Sequence, residues 1–151
     1  MINITSDCDP SLISPDLKCI DTLVKKIFLE NNVKDAELSY IFCDDDHLLN
    51  LKKIFFKQDH LTDVIAFRLN NYEEQEVEGE IYISLPRAKE NAQIYEEPYE
   101  REVARLIIHG CLHLIGYLDK TESQKKIMSE YENYFLNKML IIIPKRFIHP
   151  W

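Results

Sequence analysis

The sequence contains only 3 glycines in 151 residues, with 46% hydrophobic and 29% charged content. That composition excludes a flexible linker or a disordered tail and describes an ordinary globular chain. No apolar run approaches the roughly 20 residues a membrane-spanning helix needs. The first ten residues, MINITSDCDP, lack a basic region followed by an apolar core, so no secretory signal is expected. No C-x-x-C pair occurs. Cys8, Cys19, Cys43 and Cys111 stand apart and are expected to be free thiols in or near the core of a cytoplasmic protein. Positive charge is also short. The 18 Lys and Arg face 26 Asp and Glu, a net charge of −8, which argues against a general nucleic-acid binder with a basic face. A local site is still open to such a chain, since a metal ion and a few nearby cations can hold a single phosphodiester.

What is present reads as one domain, 1–151, long enough to bury about 70% of its unfolded surface. Residues 2–4 suit a short strand. Ser14-Pro15-Asp16 is expected to open a helix whose apolar stripe runs Leu17, Ile20, Leu23, Val24, Ile27, Phe28 and ends near Asn31. Leu38–Phe42 reads as a strand. Asp44-Asp45-Asp46 directly precedes a helical pattern reaching about Phe55, so its expected role is to cap that helix rather than to bind metal. Val64–Phe67 and Gly79–Ser84 read as strands around a polar loop, and a helix follows from Leu85 until Glu96-Glu97-Pro98 breaks it. A long helix over 98–115 is apolar nearly all round, hence buried. A further helix passes through Met128 and Phe135, with Met128 in the core. The apolar tail from Met139 suggests an extra strand or a cover for another surface, and His149 near its end is not expected to ligate. The order β-α-β-α-β-β-α-α-α indicates α+β: a small mixed sheet with helices packed against it.

The buried helix carries the chemistry. His109 and His113 are four residues apart, about 40° in projection, so both imidazoles share one face. That is how a helix offers two nitrogens to one metal ion. Gly116 stops the helix, and Asp119 follows three residues later, where a returning chain can bring its carboxylate to the same ion. The frame H-x-x-x-H-x-x-G-x-x-D has the spacing of the metzincin signature, with Gly110 in place of the catalytic glutamate and Asp119 in place of the third histidine. Cys111, two residues from each histidine, belongs to the core instead. Glu102 lies seven residues before His109 and on nearly the same face, roughly 10 Å along the axis. It is either a lining of the approach to the site or a surface charge favoured by the helix dipole.

The stretch HGCLHLIGYLD resembles the H-G-x-L-H-L-x-G-Y-D-H signature of the YbeY family of bacterial endoribonucleases at every position but the last two. TDVIAF (62–67) and GEIYIS (79–84) are similar to two further segments of that family. The resemblance implies a metal-dependent endoribonuclease acting in ribosomal RNA maturation, at the small-subunit rRNA 3′ end, and in ribosome quality control. It implies one Zn²⁺ or other divalent ion per chain on His109, His113 and Asp119. Those three are the expected catalytic set, with Asp63 and Glu102 as candidates for proton transfer. The implied partners are ribosomal RNA and the ribosome or its proteins, with no membrane and no DNA. One departure stands out: a family arginine falls on Phe56, and Lys53 or Lys57 would have to supply its charge. Two other readings fit the frame, a zinc peptidase lacking its glutamate and a non-catalytic ribosome-associated factor with a structural metal.

Overall fold

The computed structural model describes residues 1–16 and 18–142. The elements follow the expected order: β1 (Ile2–Cys8), α1 (Lys18–Glu30), β2 (Ala36–Cys43), α2 (Asp45–Leu51), a π-helical turn (Lys52–Phe56), β3 (Val64–Arg68), β4 (Val77–Ser84), α3 (Leu85–Ile94), α4 (Tyr99–Ile115) and α5 (Glu122–Ile142). The sheet is mixed, in the order β1-β2-β4-β3. β1, β2 and β4 run parallel, and β3 pairs antiparallel with β4 at one edge.

Alternation decides which sheet face is covered. Along β2, Ala36, Leu38, Tyr40 and Phe42 are buried; along β4, Val77, Gly79, Ile81 and Ile83 are buried. This face meets α1, α4 and α5 in one apolar core that takes in Phe28, Leu106, Ile107, Leu112, Met128 and Phe135. A second, small cluster of Cys43, Leu48 and Ile65, with Phe67 and Tyr82 against it, lies where α2 covers one end of the opposite face. Helix α4 approaches β4 closely because glycine stands at both contacts. A Cβ at Gly79 would meet the Leu114 side chain at 2.7 Å, and one at Gly110 would meet that of Ile81 at 2.8 Å.

Three local expectations change. The segment Ile13–Asp16 is not helical, and the Ser14 hydroxyl donates to the Pro15 carbonyl (3.4 Å) instead of capping α1. The helix after Asp44 is α-helical only to Leu51 and then widens into a π-helical turn at Lys52–Phe56, closed by Lys57 in the left-handed region (φ 53°). The segment 139–142 is not a strand. It continues α5, with Met139 fully buried. The remaining tail, with His149, lies outside the described residues, as does Leu17. Asp44 caps α2 as expected, accepting from the His47 N–H at 2.9 Å. Cys43 and Cys111 are buried free thiols and Cys8 is half-buried.

Candidate metal centre

Helix α4 and the turn after it assemble the site. Gly116 takes φ +115° and ψ 2°, and its N–H and that of Tyr117 donate to the Leu112 and His113 carbonyls of the last turn. The reversal delivers two groups: the Tyr117 carbonyl to His113, and the Asp119 carboxylate to both histidines. His113 Nδ1 lies 2.9 Å from the Tyr117 carbonyl oxygen, which can only accept, so Nδ1 carries the proton. His109 Nδ1 lies 2.8 Å from a Glu132 carboxylate oxygen on α5, which fixes the same tautomer. Both Nε2 lone pairs therefore face inward, 3.0 Å apart, and Asp119 Oδ2 stands 3.2 Å from one and 3.4 Å from the other.

Three acceptors thus converge with no donor among them, an arrangement that calls for a cation. Burial opposes charging His109, but Glu132 and then Asp119 outweigh it, so its pKa sits above the usual imidazole value. Burial and the neighbouring His109 hold His113 below it, against a smaller opposing effect of Asp119. The spacing also suits a metal. Donors at 2.0–2.1 Å from a tetrahedral ion lie about 3.3 Å from one another, and the observed edges are 3.0, 3.2 and 3.4 Å. Two imidazoles and one carboxylate are a donor set for zinc-like ions rather than for calcium or magnesium.

The group lines a cavity of about 360 Å³ together with Lys52, Thr62, Asp63, Arg105 and Gly110. Behind its wall runs a polar network. Arg105 donates to Glu102 at 2.8 and 2.6 Å and to Glu132 at 3.2 Å. The Asn91 amide bridges Glu102 (3.2 Å) and Asp63 (3.1 Å). Hydrogen bonds therefore connect Asp63 to His109 by way of Asn91, Glu102, Arg105 and Glu132.

The comparisons with known proteins bear on this arrangement. The family profile described as Endoribonuclease YbeY matches residues 11–140. The chain belongs to the YbeY family. A protein named Endoribonuclease YbeY from Flavobacterium psychrophilum is 40% identical over 73% of this chain and 77% of its own. One of the same name from Phocaeicola vulgatus is 37% identical over 79% of this chain and 86% of its own. The solution structure of TM1509 from Thermotoga maritima superposes with a TM-score of 0.63 at 27% identity, covering 92% of this chain and 89% of that one.

Within this YbeY chain the structure brings His109, His113 and Asp119 together, the one such group among the described residues. Asp63 lies on the cavity wall. Glu102 is neither a lining residue nor a surface charge: it is 2% exposed and clamped by Arg105. The Asp44–Asp46 run caps a helix and pairs with Arg87 through Asp45 (2.9 Å). Lys53 turns away to Asp59 (3.6 Å), and the lysine that reaches the cavity is Lys52. Gly110 is explained by the Ile81 side chain, not by an approaching backbone. Sequence reasoning missed Glu132 and Arg105. Both sit on helices whose pattern marks them only as polar. The available signal was a carboxylate, Glu132, on the buried stripe that also carries Met128, Phe135 and Met139.

Proposed function

We propose that this protein is a metal-dependent endoribonuclease that cuts ribosomal RNA during its maturation, using one Zn²⁺ held by His109, His113 and Asp119. The convergence of three oriented acceptor atoms in an open cavity carries this reading, and the shared name of the relatives supports the substrate class. When bound, the ion supplies Lewis-acid activation at a phosphodiester. The chain's own residues do the rest. Glu132 and the Tyr117 carbonyl lock the two ring orientations, so no reorganisation is needed when the ion enters. Lys52 and Arg105 put positive charge on the cavity wall, where charge develops on the phosphate oxygens. Much of the Arg105 charge is already matched by Glu102 and Glu132, whereas Lys52 donates to the Gln58 amide oxygen (3.4 Å), lies over the Phe56 ring and pairs with no carboxylate among the described residues. Asp63, anchored through one oxygen by Asn91, is the candidate proton acceptor for the attacking hydroxyl.

A peptidase role has no support here. The glutamate that peptide hydrolysis relies on would have to stand at Gly110, where Ile81 fills the space beyond Cα. We infer a ribosome-bound setting for the reaction, since a net charge of −8 gives the free protein little attraction for RNA. The test is cleavage of purified ribosomal RNA by metal-loaded protein, beside His113→Ala and a chelated sample. Cleavage confined to the loaded wild type is expected. Equal cleavage in all three would sink the proposal.

A further inference from the structure

The π-helical turn beside the cavity has a composition unlike the rest of this acidic chain. Residues 52–57 read Lys-Lys-Ile-Phe-Phe-Lys. A π-helical turn and a left-handed lysine are both costly local conformations that persist where surrounding structure enforces them, often at functional sites. Here the enforcing contact is aromatic. Phe56 stacks on Phe67 of β3 with centroids 5.7 Å apart and planes 23° apart, and Phe55 meets Phe67 edge-on at 5.3 Å. Despite that anchoring, Phe55 is 63% and Phe56 42% exposed. Lys52 joins this patch to the cavity. Its side chain lines the wall with Asp63, His109, His113 and Asp119, and its ammonium lies 4.9 Å from the centre of the Phe56 ring.

We propose that Lys52, Phe55 and Phe56 form a nucleotide-holding subsite, in which a ribonucleotide next to the scissile bond stacks its base on the exposed rings while Lys52 takes its phosphate. Aromatic rings interleaved with cations are how single-stranded nucleic acid is gripped without sequence readout. The anchored Phe67 behind them keeps the platform from collapsing when the base is absent. Continuity with the cavity, through one lysine, favours RNA over a protein partner as the occupant. The outward sheet face carries Glu37, Glu78 and Glu80, which would repel a longer polyanion and confine the contact to one or two nucleotides. A base can reach these rings only if it is unstacked, so the subsite selects single-stranded over duplex RNA. This inference rests on the ribonuclease reading, but its test does not depend on cleavage.

The probe is a short single-stranded oligoribonucleotide carrying one 2-aminopurine, whose fluorescence falls when it stacks. It is titrated into full-length His113→Ala protein, so that binding is read without cutting, and a duplex of the same sequence serves as control. Quenching on binding is expected, with the duplex bound more weakly. Phe55→Leu/Phe56→Leu should abolish the quench and weaken single-strand binding by about 5- to 100-fold. Lys52→Gln, which leaves the aromatic packing in place, should retain part of the quench and lower the salt dependence of binding by about 0.7 in log–log slope. Bound oligoribonucleotide with no quench, or leucine variants that bind and quench as the parent does, would overturn the subsite and leave the patch to a protein partner. Neither result would touch the ribonuclease reading, which stands or falls on metal-dependent cleavage of ribosomal RNA.

Discussion

Glu132→Gln is the most informative single change, because the two oxygens of Glu132 serve two different donors. One accepts from His109 Nδ1 at 2.8 Å and the other from Arg105 Nη1 at 3.2 Å, in a side chain 8% exposed. Glutamine keeps the shape but has only one acceptor. If its NH₂ faces His109, Nδ1 must become an acceptor and the ring proton moves to Nε2, which removes a metal-facing lone pair. If its NH₂ faces Arg105, two donors meet. The second arrangement costs less, since Arg105 keeps both bonds to Glu102. The oxygen then stays on His109, and one charge-assisted bond of about 1.5–3 kcal/mol is lost from the folded state. Loss of the carboxylate behind a ligating histidine weakens metal binding by roughly 10- to 100-fold. The assay is Zn²⁺ titration against a chelating dye, paired with urea unfolding of the metal-free protein. The reasoning predicts metal affinity down by at least tenfold and metal-free stability down by about 2 kcal/mol. Zn²⁺ affinity within twofold of wild type would refute the claim that Glu132 holds His109 for a metal.

Other outcomes follow from the same geometry. Gly116→Ala puts a side chain at φ +115°, which should cost about 1–3 kcal/mol and lower the unfolding midpoint even though no atom obstructs the new methyl. Gly110→Ala meets Ile81 in the core and should destabilise by about 1–3 kcal/mol, read by the same unfolding curve. Asp119→Asn should weaken Zn²⁺ binding by more than tenfold while leaving the far-ultraviolet circular dichroism unchanged, and equal binding would remove Asp119 from the ligand set. Burial raises the Cys43 thiol from 9.0 to about 12 and raises Cys111 as well. The unfolded chain therefore loses these protons first, so stability present below pH 9 is lost as pH rises toward 12. Urea midpoints at pH 8 and pH 10 check this: the drop should shrink in Cys43→Ala/Cys111→Ala.

Much of the fold was legible because local signals agreed with the tertiary outcome. Period-two alternation in GEIYIS and the all-round apolar pattern of 98–115 needed nothing distant to be read correctly. The reading failed where a contact far along the chain decides. Phe67 holds Phe55 and Phe56 in a π-helical turn, and no residue within 52–56 announces that. Core packing of Met139 extends α5 through a segment whose composition also suits a strand. In the site, the i, i+4 histidines and the glycine turn were visible because they are local. Glu132 lies 23 residues beyond His109 on another helix, and only packing brings it there. Lys52 over Lys53 was a matter of which residue the π-helical winding rotates toward the cavity, and helical spacing from Asp44 does not carry that.

The most direct measurement is the stoichiometry of activity. Metal-stripped protein is reconstituted with increasing Zn²⁺ and its cleavage of ribosomal RNA is followed, with His109→Ala/His113→Ala beside it. The account predicts no cleavage without metal, activity that rises to saturation at one ion per chain, and none from the double variant at any ratio. Cleavage by the stripped protein, or by the double variant with wild-type efficiency, would contradict it.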